Sequence, residues 1–398
     1  MAAFDASRVE PKGPQFGLAA GQAGTHSSAG GVGIEVKSLR ARRTFSPTER
    51  LRCGVVGVGR MGQHHARVYS KLPHCELVGV VDASPIRAQE IADKFETRAL
   101  ASVHDLLALG VDAVSIAVPT TCHRMEAEPL LRAGVACLIE KPLAQDAATA
   151  QAIKEAADAS GACLMVGHIE RFNPIMRAMQ RATSTGQPVV PRFIEVHRVS
   201  PMTFRSVDVG VVMDMMIHDL DVVVMLMGGH EPDEIQAAGV NVITDYEDMC
   251  NARLTFHRPE GTCVANVSAS RLALKTERVT RITGQNAYIK IDYAARTGYM
   301  VRRVANESQM LEMREQIRGG RDLTSLRWQE LVNYEPLEVT DDDGEPIVME
   351  IQAFLEAVRT GSRPPIDAEA GFANVRTAQR IVEAIRETMG LELPMPMV

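Results

Sequence analysis

The sequence predicts an α/β protein whose first domain is a doubly wound parallel sheet and whose second is an α+β domain with an open, mainly antiparallel sheet. Up to about residue 170, short apolar strands alternate with helices, which is typical of parallel βαβ units. Beyond that point strands follow one another across short polar turns, which favours antiparallel pairing. A glycine-rich turn after the first strand is the third observation. At 398 residues the chain is long enough for two domains.

The first 47 residues differ from the rest of the chain. Residues 1–47 are rich in Gly, Ala, Ser and Thr and show no sustained strand or helix period. Such a segment cannot bury enough apolar surface to offset the entropy of ordering it. We therefore expect a disordered extension over 1–47, a first domain over 50–170 and a second domain over 171–398.

The elements of the first domain follow from apolar runs and helix caps. Ser84 followed by Pro85 is a favourable helix start, and Pro119 stops a strand. The strands are nearly continuous Val, Ile and Leu, which indicates that helices cover both faces of the sheet. The predicted strands are 53–58, 76–81, 112–118, 136–140 and 163–166, and the predicted helices are 61–72, 84–95, 123–133 and 146–160.

The second domain is predicted to combine a run of strands with three helices. One helix is expected over 211–227, and two more lie within 349–389, separated by the turn 361–365. The acidic run 341–345 is expected to be a solvated turn. The predicted strands are 193–199, 235–242, 252–257, 262–268, 279–283 and 287–293.

Composition excludes several classes of function. A net charge of −7 argues against nucleic acid as a partner, because phosphate binding requires a basic face. The seven cysteines form no CxxC pair, so we expect neither a disulfide framework nor a metal site, and we expect a reducing compartment. No run reaches the roughly 20 apolar residues that span a bilayer. We expect a cytoplasmic protein with no membrane partner.

The turn at 57–62 has the spacing G-x-G-x-x-G between a strand and a helix, as dinucleotide binding requires. Gly57 permits the tight turn, Gly59 admits a pyrophosphate, and Gly62 lets helix and strand pack closely. Asp82 ends the second strand, where a carboxylate binds ribose hydroxyls and repels a 2′-phosphate. NAD is therefore favoured over NADP, and Arg87 softens that preference. The alternative is a glycine-rich turn with Asp82 as a helix cap.

Three further sequence motifs accompany the glycine turn. They are Val-Pro-Thr-Thr-Cys-His at 118–123, Glu-Lys-Pro at 140–142 and Asp-Met-Met-Ile-His at 214–218. With the glycine turn, they make residues 51–390 resemble the Gfo/Idh/MocA oxidoreductase family. The resemblance implies a Rossmann domain, then a domain with an open sheet for substrate binding and oligomerisation. It also implies oxidation or reduction of a sugar, inositol or sugar-nucleotide hydroxyl, and a homodimer or homotetramer.

Within the family, residues 167–174 and 217–221 are most similar to the UDP-N-acetylglucosamine 3-dehydrogenase group, which makes a keto sugar nucleotide that is later aminated for modified lipid A. We therefore expect oxidation of C3 of UDP-N-acetylglucosamine. Met216 stands where the family usually has Gly, and only Gly210 remains of a Gly-Gly run. The alternatives are a dehydrogenase of a free sugar or inositol, an NAD-dependent glycosidase, and a non-catalytic NAD-binding protein.

The predicted catalytic residues are Lys141, His218 and Asp214. Hydride leaves only as the hydroxyl proton is removed, so the site needs a base and a group that stabilises the alkoxide. The resemblance implies that Lys141 orients the hydroxyl and helps to carry its proton. His218 is the preferred general base, because its intrinsic pKa suits neutral pH. Asp214, four residues earlier, binds a substrate hydroxyl or fixes the imidazole tautomer; a simple polar pair is the alternative.

Other contacts complete the predicted site. Substrate contacts are expected from His168, Arg171 and Asn173 beside Asp214 and His218, with Arg171 touching phosphate. An interdomain ion pair or cap is the alternative for these residues, and helix packing is the alternative for His123. His64 and His65 are expected to be ordinary helix residues. The predicted cofactor contacts are Gly57, Gly59, Arg60, Met61, Gly62, Asp82, Arg87, Pro119, Thr120, His123, Glu140 and Lys141.

Overall fold

The computed structural model describes residues 45–390 except 47, 185–187, 205–206 and 322–330. The predicted disordered extension lies outside the described residues, apart from Phe45 and Ser46 at its end. No helix in the described part of the chain is long and apolar enough to cross a membrane.

The first sheet is parallel throughout and confirms the predicted Rossmann architecture. Its six strands lie in the order β3-β2-β1-β4-β5-β6, so the strand order reverses between β1 and β4, where such sheets bind their ligands. The strands are β1 (Leu51–Val56), β2 (Cys75–Val81), β3 (Ala99–Leu100), β4 (Ala113–Ile116), β5 (Ala136–Glu140) and β6 (Leu164–Gly167).

Five helices cover the two faces of this sheet. Side-chain caps start three of them: Ser84 accepts from the Arg87 N–H, Ser102 from Asp105 and Asp146 from Thr149. The sequence did not predict β3 or α3, because two and seven residues are too short to show a period. The helices are α1 (Gly62–Lys71), α2 (Pro85–Lys94), α3 (Val103–Leu109), α4 (His123–Arg132) and α5 (Ala147–Ser160).

The second sheet has eight strands in the order β14-β13-β12-β11-β7-β10-β9-β8. Neighbouring strands are antiparallel except β7 and β10, which are parallel. This confirms the prediction of a mainly antiparallel sheet. The strands are β7 (Pro191–Val199), β8 (Glu234–Val240), β9 (Met249–Phe256), β10 (Cys263–Ser270), β11 (Glu277–Gly284), β12 (Ala287–Asp292), β13 (Thr297–Arg303) and β14 (Val332–Pro336).

The helices of the second half connect its sheet to the first one. The predicted helix over 211–227 begins as a π-helical turn (Val212–Met216) and continues as α7 (Ile217–Leu226). The sequence did not predict α6, α8, β13 or β14. The remaining helices are α6 (Pro174–Ser184), α8 (Glu307–Arg318), α9 (Pro346–Thr360) and α10 (Ala368–Met389).

The acidic run was predicted to be a solvated turn, and this is wrong for Asp343. Its side chain is buried in a short 3₁₀ turn and pairs with the Arg181 guanidinium. The Thr340 N–H also donates to the Asp343 carboxylate, at 2.8 Å. The run therefore ties the segment before α9 to α6, while Asp341 and Asp342 are exposed.

The last two helices return to the first sheet. The Val166 N–H on β6 donates to the Ile366 carbonyl at 2.9 Å, just before α10 begins. Helix α10 packs against α5, α7 and β8, and α9 packs against α1 and β5. Residues from the C-terminal part of the chain thereby reach the edge of the parallel sheet where β5 ends.

Candidate active site

The glycine turn has the geometry of a phosphate cradle. Gly57 has a φ of +80°, and a Cβ there would lie 2.7 Å from a Val118 methyl group. A Cβ on Gly62 would overlap the Gly57 carbonyl oxygen, so helix and turn are in direct contact. A Cβ on Gly59 would meet nothing within 4 Å, which leaves open space above the turn. Helix α1 begins at this turn without a side-chain cap, and its Gln63 and His64 N–H groups donate to the Gly59 and Met61 carbonyls. The positive end of the helix dipole lies beside the turn, where a diphosphate would bind.

Two single alanine substitutions are expected to separate folding from cofactor binding. Gly59→Ala should melt within a few degrees of the wild type but weaken NAD binding about tenfold or more, because its methyl group fills only the cradle. Gly62→Ala should lose stability as well, since its methyl group overlaps backbone. Thermal unfolding and calorimetric titration with NAD measure the two effects. Normal NAD affinity in Gly59→Ala would contradict the cradle.

Asp82 lies beside the turn, as the sequence predicted. Its carboxylate accepts from the Val58 N–H at 2.8 Å and the Ser84 N–H at 2.9 Å, which fixes it at the end of β2. Arg87 donates from Nε to the Val58 carbonyl at 2.9 Å and contacts Glu90 at 3.1 Å. An oriented carboxylate with spare lone pairs suits ribose hydroxyls, and a guanidinium engaged elsewhere is less available to a 2′-phosphate.

Further predicted cofactor contacts lie in the segments that follow β1 and β4. Arg60 is exposed at the tip of the turn, Met61 is half-buried behind it, and Pro119 and Thr120 follow β4. His123 is different, because it is buried and its two ring nitrogens face the carbonyls of Val118 and Leu143 at 3.1 and 3.2 Å. Burial lowers the pKa of His123. In this position His123 joins the loops after β4 and β5.

Lys141 joins the first sheet to the second half of the chain. It follows β5, and its Nζ donates to the Asp214 carbonyl oxygen at 2.9 Å and lies 3.8 Å from the Asp214 carboxylate. Burial lowers the pKa of the Lys141 amine, although the charges of Asp214 and Glu140 act in the opposite direction. A lysine with a lowered pKa at the C-terminal edge of a parallel sheet is suited to proton transfer.

His218 lies near Lys141, in the first turn of α7 directly after the π-helical turn. Burial lowers the pKa of His218 well below its ordinary value, and the positive charges of Lys141 and Arg198 lower it further. The imidazole is therefore neutral at physiological pH. Its Nδ1 is buried with no hydrogen-bond partner among the described residues, whereas Nε2 is not buried in this way. No hydrogen bond joins His218 to Asp214 in the described part of the chain, because Asp214 faces Lys141 instead.

Buried ion pairs hold the helix that carries His218. Arg198 on β7 donates to Asp219 at 2.6 and 2.9 Å and to Glu170 at 3.1 Å. Arg171 donates to both oxygens of Asp221, at 2.7 and 2.6 Å. Asp219 and Asp221 are two residues apart on α7 and therefore project from opposite sides of the helix, so both sides of α7 are anchored. Arg198 was not predicted from the sequence, because no local motif marks it.

The predicted substrate contacts His168, Arg171 and Asn173 are engaged within the protein. His168 is buried and its Nε2 lies 3.1 Å from Asn374 of α10; burial lowers its pKa. Asn173 accepts from the Ile175 N–H and so caps the start of α6. Besides its pair with Asp221, Arg171 donates to the Pro365 carbonyl and lines a cavity of about 880 Å³ that none of Lys141, Asp214 and His218 lines.

Comparison with known proteins identifies the protein family and the class of enzyme. The chain belongs to the Gfo/Idh/MocA oxidoreductase family. Residues 51–168 match the part described as "Oxidoreductase family, NAD-binding Rossmann fold", and residues 203–393 match the "C-terminal alpha/beta domain". It is thus a dehydrogenase that acts on a CH–OH group, as the resemblance implied, and its cofactor is NAD, as the glycine turn and Asp82 predicted.

Individual members of the family are similar to this chain to different degrees. The chain is 40% identical over 255 residues to UDP-N-acetylglucosamine 3-dehydrogenase of Acidithiobacillus ferrooxidans, which covers 64% of this chain and 78% of that one. A solved structure of that enzyme matches with a TM-score of 0.73 and 34% identity, covering 85% of this chain and 98% of that chain. Inositol 2-dehydrogenase of Rhizobium meliloti is 33% identical over 204 residues, 48% of this chain and 59% of the relative. Levoglucosan dehydrogenase, solved with NADH and L-sorbose, shares the fold at 18% identity, with a TM-score of 0.71, 85% of this chain and 97% of that chain covered.

Proposed function

We propose that this dehydrogenase oxidises the C3 hydroxyl of UDP-N-acetylglucosamine to a ketone while NAD is reduced. The observation that carries the proposal is the meeting of Lys141, Asp214 and His218 at the end of β5, next to the glycine turn. The similarity to UDP-N-acetylglucosamine 3-dehydrogenase, which extends over more of the relative than the inositol enzyme's does, selects the substrate. NAD supplies the hydride acceptor, and the residues of this chain orient the sugar and move its proton.

The tautomer of His218 distinguishes the roles of the two catalytic side chains. A buried nitrogen without a partner is less costly as a lone pair than as an N–H, so the proton of the neutral imidazole belongs on Nε2. In that form His218 donates a hydrogen bond to the substrate oxygen. Lys141, with its lowered pKa, then takes the hydroxyl proton. The sequence favoured His218 as the base, and the geometry moves that role in the proposal to Lys141.

The proposed base predicts the pH dependence of oxidation. The amine accepts a proton only when it is neutral, so kcat should rise with pH through the pKa of Lys141, with a midpoint below that of an ordinary lysine. His218 contributes no limb in that range, because its pKa lies well below its ordinary value. Steady-state rates in a series of buffers measure the profile for the wild type and for His218→Asn. The limb should remain at the same pH in His218→Asn, with a lower plateau; a limb that moves would assign it to His218.

Arg278 is the cation that we propose for the substrate diphosphate, in place of Arg171. Its side chain on β11 is 46% exposed and only 3.9 Å from Glu170, and its charge lowers the pKa of His218. Arg278→Met should raise the KM for the sugar nucleotide about tenfold with little change in kcat. Arg281, on the same strand, provides the matched control variant Arg281→Met. An unchanged KM in Arg278→Met would remove Arg278 from the substrate site.

The substrate itself is tested by mixing the purified protein with NAD and following the absorbance of NADH. UDP-N-acetylglucosamine should give NADH, whereas free N-acetylglucosamine and myo-inositol should not. Turnover of myo-inositol without turnover of the nucleotide sugar would support the inositol alternative and overturn the proposal. Release of free sugar without net NADH would instead indicate a glycosidase.

The cellular setting is part of the same proposal. We place the protein in the cytoplasm, in a route where its keto sugar nucleotide is later aminated for modified lipid A. Buried and less buried residues alternate along β9 and β10. The less buried residues lie on the face of the eight-stranded sheet that the described part of the chain does not cover. That face supports assembly into a homodimer or homotetramer. Light scattering during gel filtration measures the mass, and a monomer would contradict the assembly.

A further inference from the structure

Three side chains from distant parts of the chain meet behind Lys141. They are His65 on α1, Glu140 at the end of β5 and Glu350 on α9, and one ligand atom from each lies within 4.8 Å of the other two. His65 and Glu350 are fully buried. Glu140 directly precedes Lys141, and its Oε2 lies 3.3 Å from the Lys141 backbone nitrogen. Contacts that hold the Glu140 carboxylate in place therefore also hold the backbone at Lys141.

A hydrogen-bond chain holds one oxygen of Glu140. Burial raises the pKa of Tyr69, so its hydroxyl is a donor, and it lies 2.8 Å from Ser115 Oγ. Ser115 Oγ lies 3.0 Å from His65 Nδ1, and His65 Nε2 lies 2.9 Å from Glu140 Oε1. The consistent assignment is donation from Tyr69 to Ser115, to His65, and to the Glu140 carboxylate. Tyr69 is itself fully buried, so this chain orients Glu140 and has no outlet to solvent.

Glu350 is the member of the cluster that lacks a hydrogen bond. Neither of its carboxyl oxygens has a partner among the described residues. The titratable groups that face it are His65 and Tyr69 from α1, Glu140 from β5 and Asp221 from α7, while Arg171 on the turn packed against α9 is paired with Asp221. Burial raises the pKa of Glu350 well above its ordinary value, and the charges of Glu140 and Asp221 raise it further.

We propose that Glu350 is a positioning residue whose carboxyl group is protonated at neutral pH and donates a hydrogen bond to the Glu140 carboxylate. Of the two side chains, only Glu140 is then ionised behind Lys141. An ionised Glu350 would have no compensating cation among the described residues, since Arg171 is paired with Asp221, whereas a carboxylic acid beside a carboxylate has an acceptor for its proton. One carboxyl oxygen of Glu350 lies within 4.8 Å of one of Glu140, so a small approach of the two side chains forms this hydrogen bond. One negative charge instead of two also keeps the Lys141 amine from being held in its protonated form.

The first test needs no substrate. Infrared spectra of the full-length protein with NAD bound, in H₂O and D₂O, should show the carbonyl stretch of a buried protonated carboxyl group at neutral pH. That band should disappear in Glu350→Gln and persist in Glu356→Gln, a matched change on the same helix. Because this readout is independent of turnover, it stands even if UDP-N-acetylglucosamine is not the substrate. A wild-type spectrum without the band would overturn the proposal.

The second test uses activity, and it rests on the proposed function. Glu350→Gln keeps a neutral donor, so kcat and the position of its pH limb should remain close to the wild type. Glu350→Met keeps the volume without a donor, and kcat should fall about 10- to 100-fold although the protein stays folded. A residue that only fills space would give the opposite order, because methionine suits an apolar site better than a buried amide.

Two results would overturn the proposal. A pH limb that moves to lower pH in Glu350→Gln would mean that Glu350 is ionised in the wild type, since removing a negative charge lowers the pKa of a nearby amine. Binding of Zn²⁺ or Mn²⁺ by the wild type, abolished in Glu350→Gln, would mean that His65, Glu140 and Glu350 form a metal site instead.

Discussion

Replacing Lys141 by methionine is expected to lower kcat by about 10²- to 10⁴-fold while NAD still binds. Methionine keeps much of the length and bulk of the side chain but cannot accept the hydroxyl proton. It also cannot donate to the Asp214 carbonyl oxygen, which Lys141 Nζ contacts at 2.9 Å. Loss of a proton-transfer group acts on the transition state, so kcat and kcat/KM should fall together. Single-turnover formation of NADH measures the effect on the chemical step.

The control for this prediction is Lys94→Met, which changes an exposed lysine at the end of α2. Both variants remove one positive charge from the first domain, so differences between them report position and not net charge. Lys94→Met should retain wild-type kcat and NAD affinity. Wild-type turnover by Lys141→Met would remove the lysine from the mechanism, and lost NAD binding would mean that it acts through the cofactor site.

Replacing Arg198 by methionine is expected to have the largest effect on stability, lowering the free energy of unfolding by about 3–5 kcal/mol. Its guanidinium is buried and pairs with the buried carboxylates Asp219 and Glu170. Without it, two buried carboxylates remain with no close cation in the described part of the chain, apart from Arg278 at 3.9 Å from Glu170. Chemical denaturation of the wild type and the variant measures the difference.

Arg253→Met is the matched control, because Arg253 lies on the exposed side of β9 and contacts Asn266 at 3.3 Å. Its effect should stay within about 0.5 kcal/mol of the wild type. Adding Asp219→Asn and Glu170→Gln to Arg198→Met should recover part of the lost stability, since the unpaired charges are then gone. Equal stability of Arg198→Met and the wild type would show that the pairs contribute nothing to holding α7.

Features with a local sequence pattern could be predicted. The parallel sheet follows from apolar runs that each span a strand, and the turn at Gly57 follows from fixed glycine spacing before a helix. Lys141 could be proposed as a catalytic residue because the Glu-Lys-Pro motif is contiguous and ends a predicted strand. In each case a few neighbouring residues carry the whole signal.

Features built from distant residues could not be predicted. His65 was expected to be an ordinary helix residue, yet it bonds Glu140, which lies 75 positions away. The expected pairing of Asp214 with His218 assumed α-helical spacing, and a π-helical turn precedes His218 instead. Arg171 is a phosphate-binding residue type, but the buried Asp221 fifty positions along the chain takes its guanidinium. Only the folded arrangement shows which charges are paired.

The central claim is that hydride passes from C3 of the nucleotide sugar to NAD at the site of Lys141 and His218. The measurement that tests it most directly is the reaction of UDP-N-acetylglucosamine carrying deuterium at C3, with the NADH isolated and analysed by mass spectrometry and NMR. We expect one deuterium on C4 of the nicotinamide ring and a slower chemical step than with the unlabelled sugar. NADH that forms without deuterium would contradict it, because the hydride would then come from another carbon.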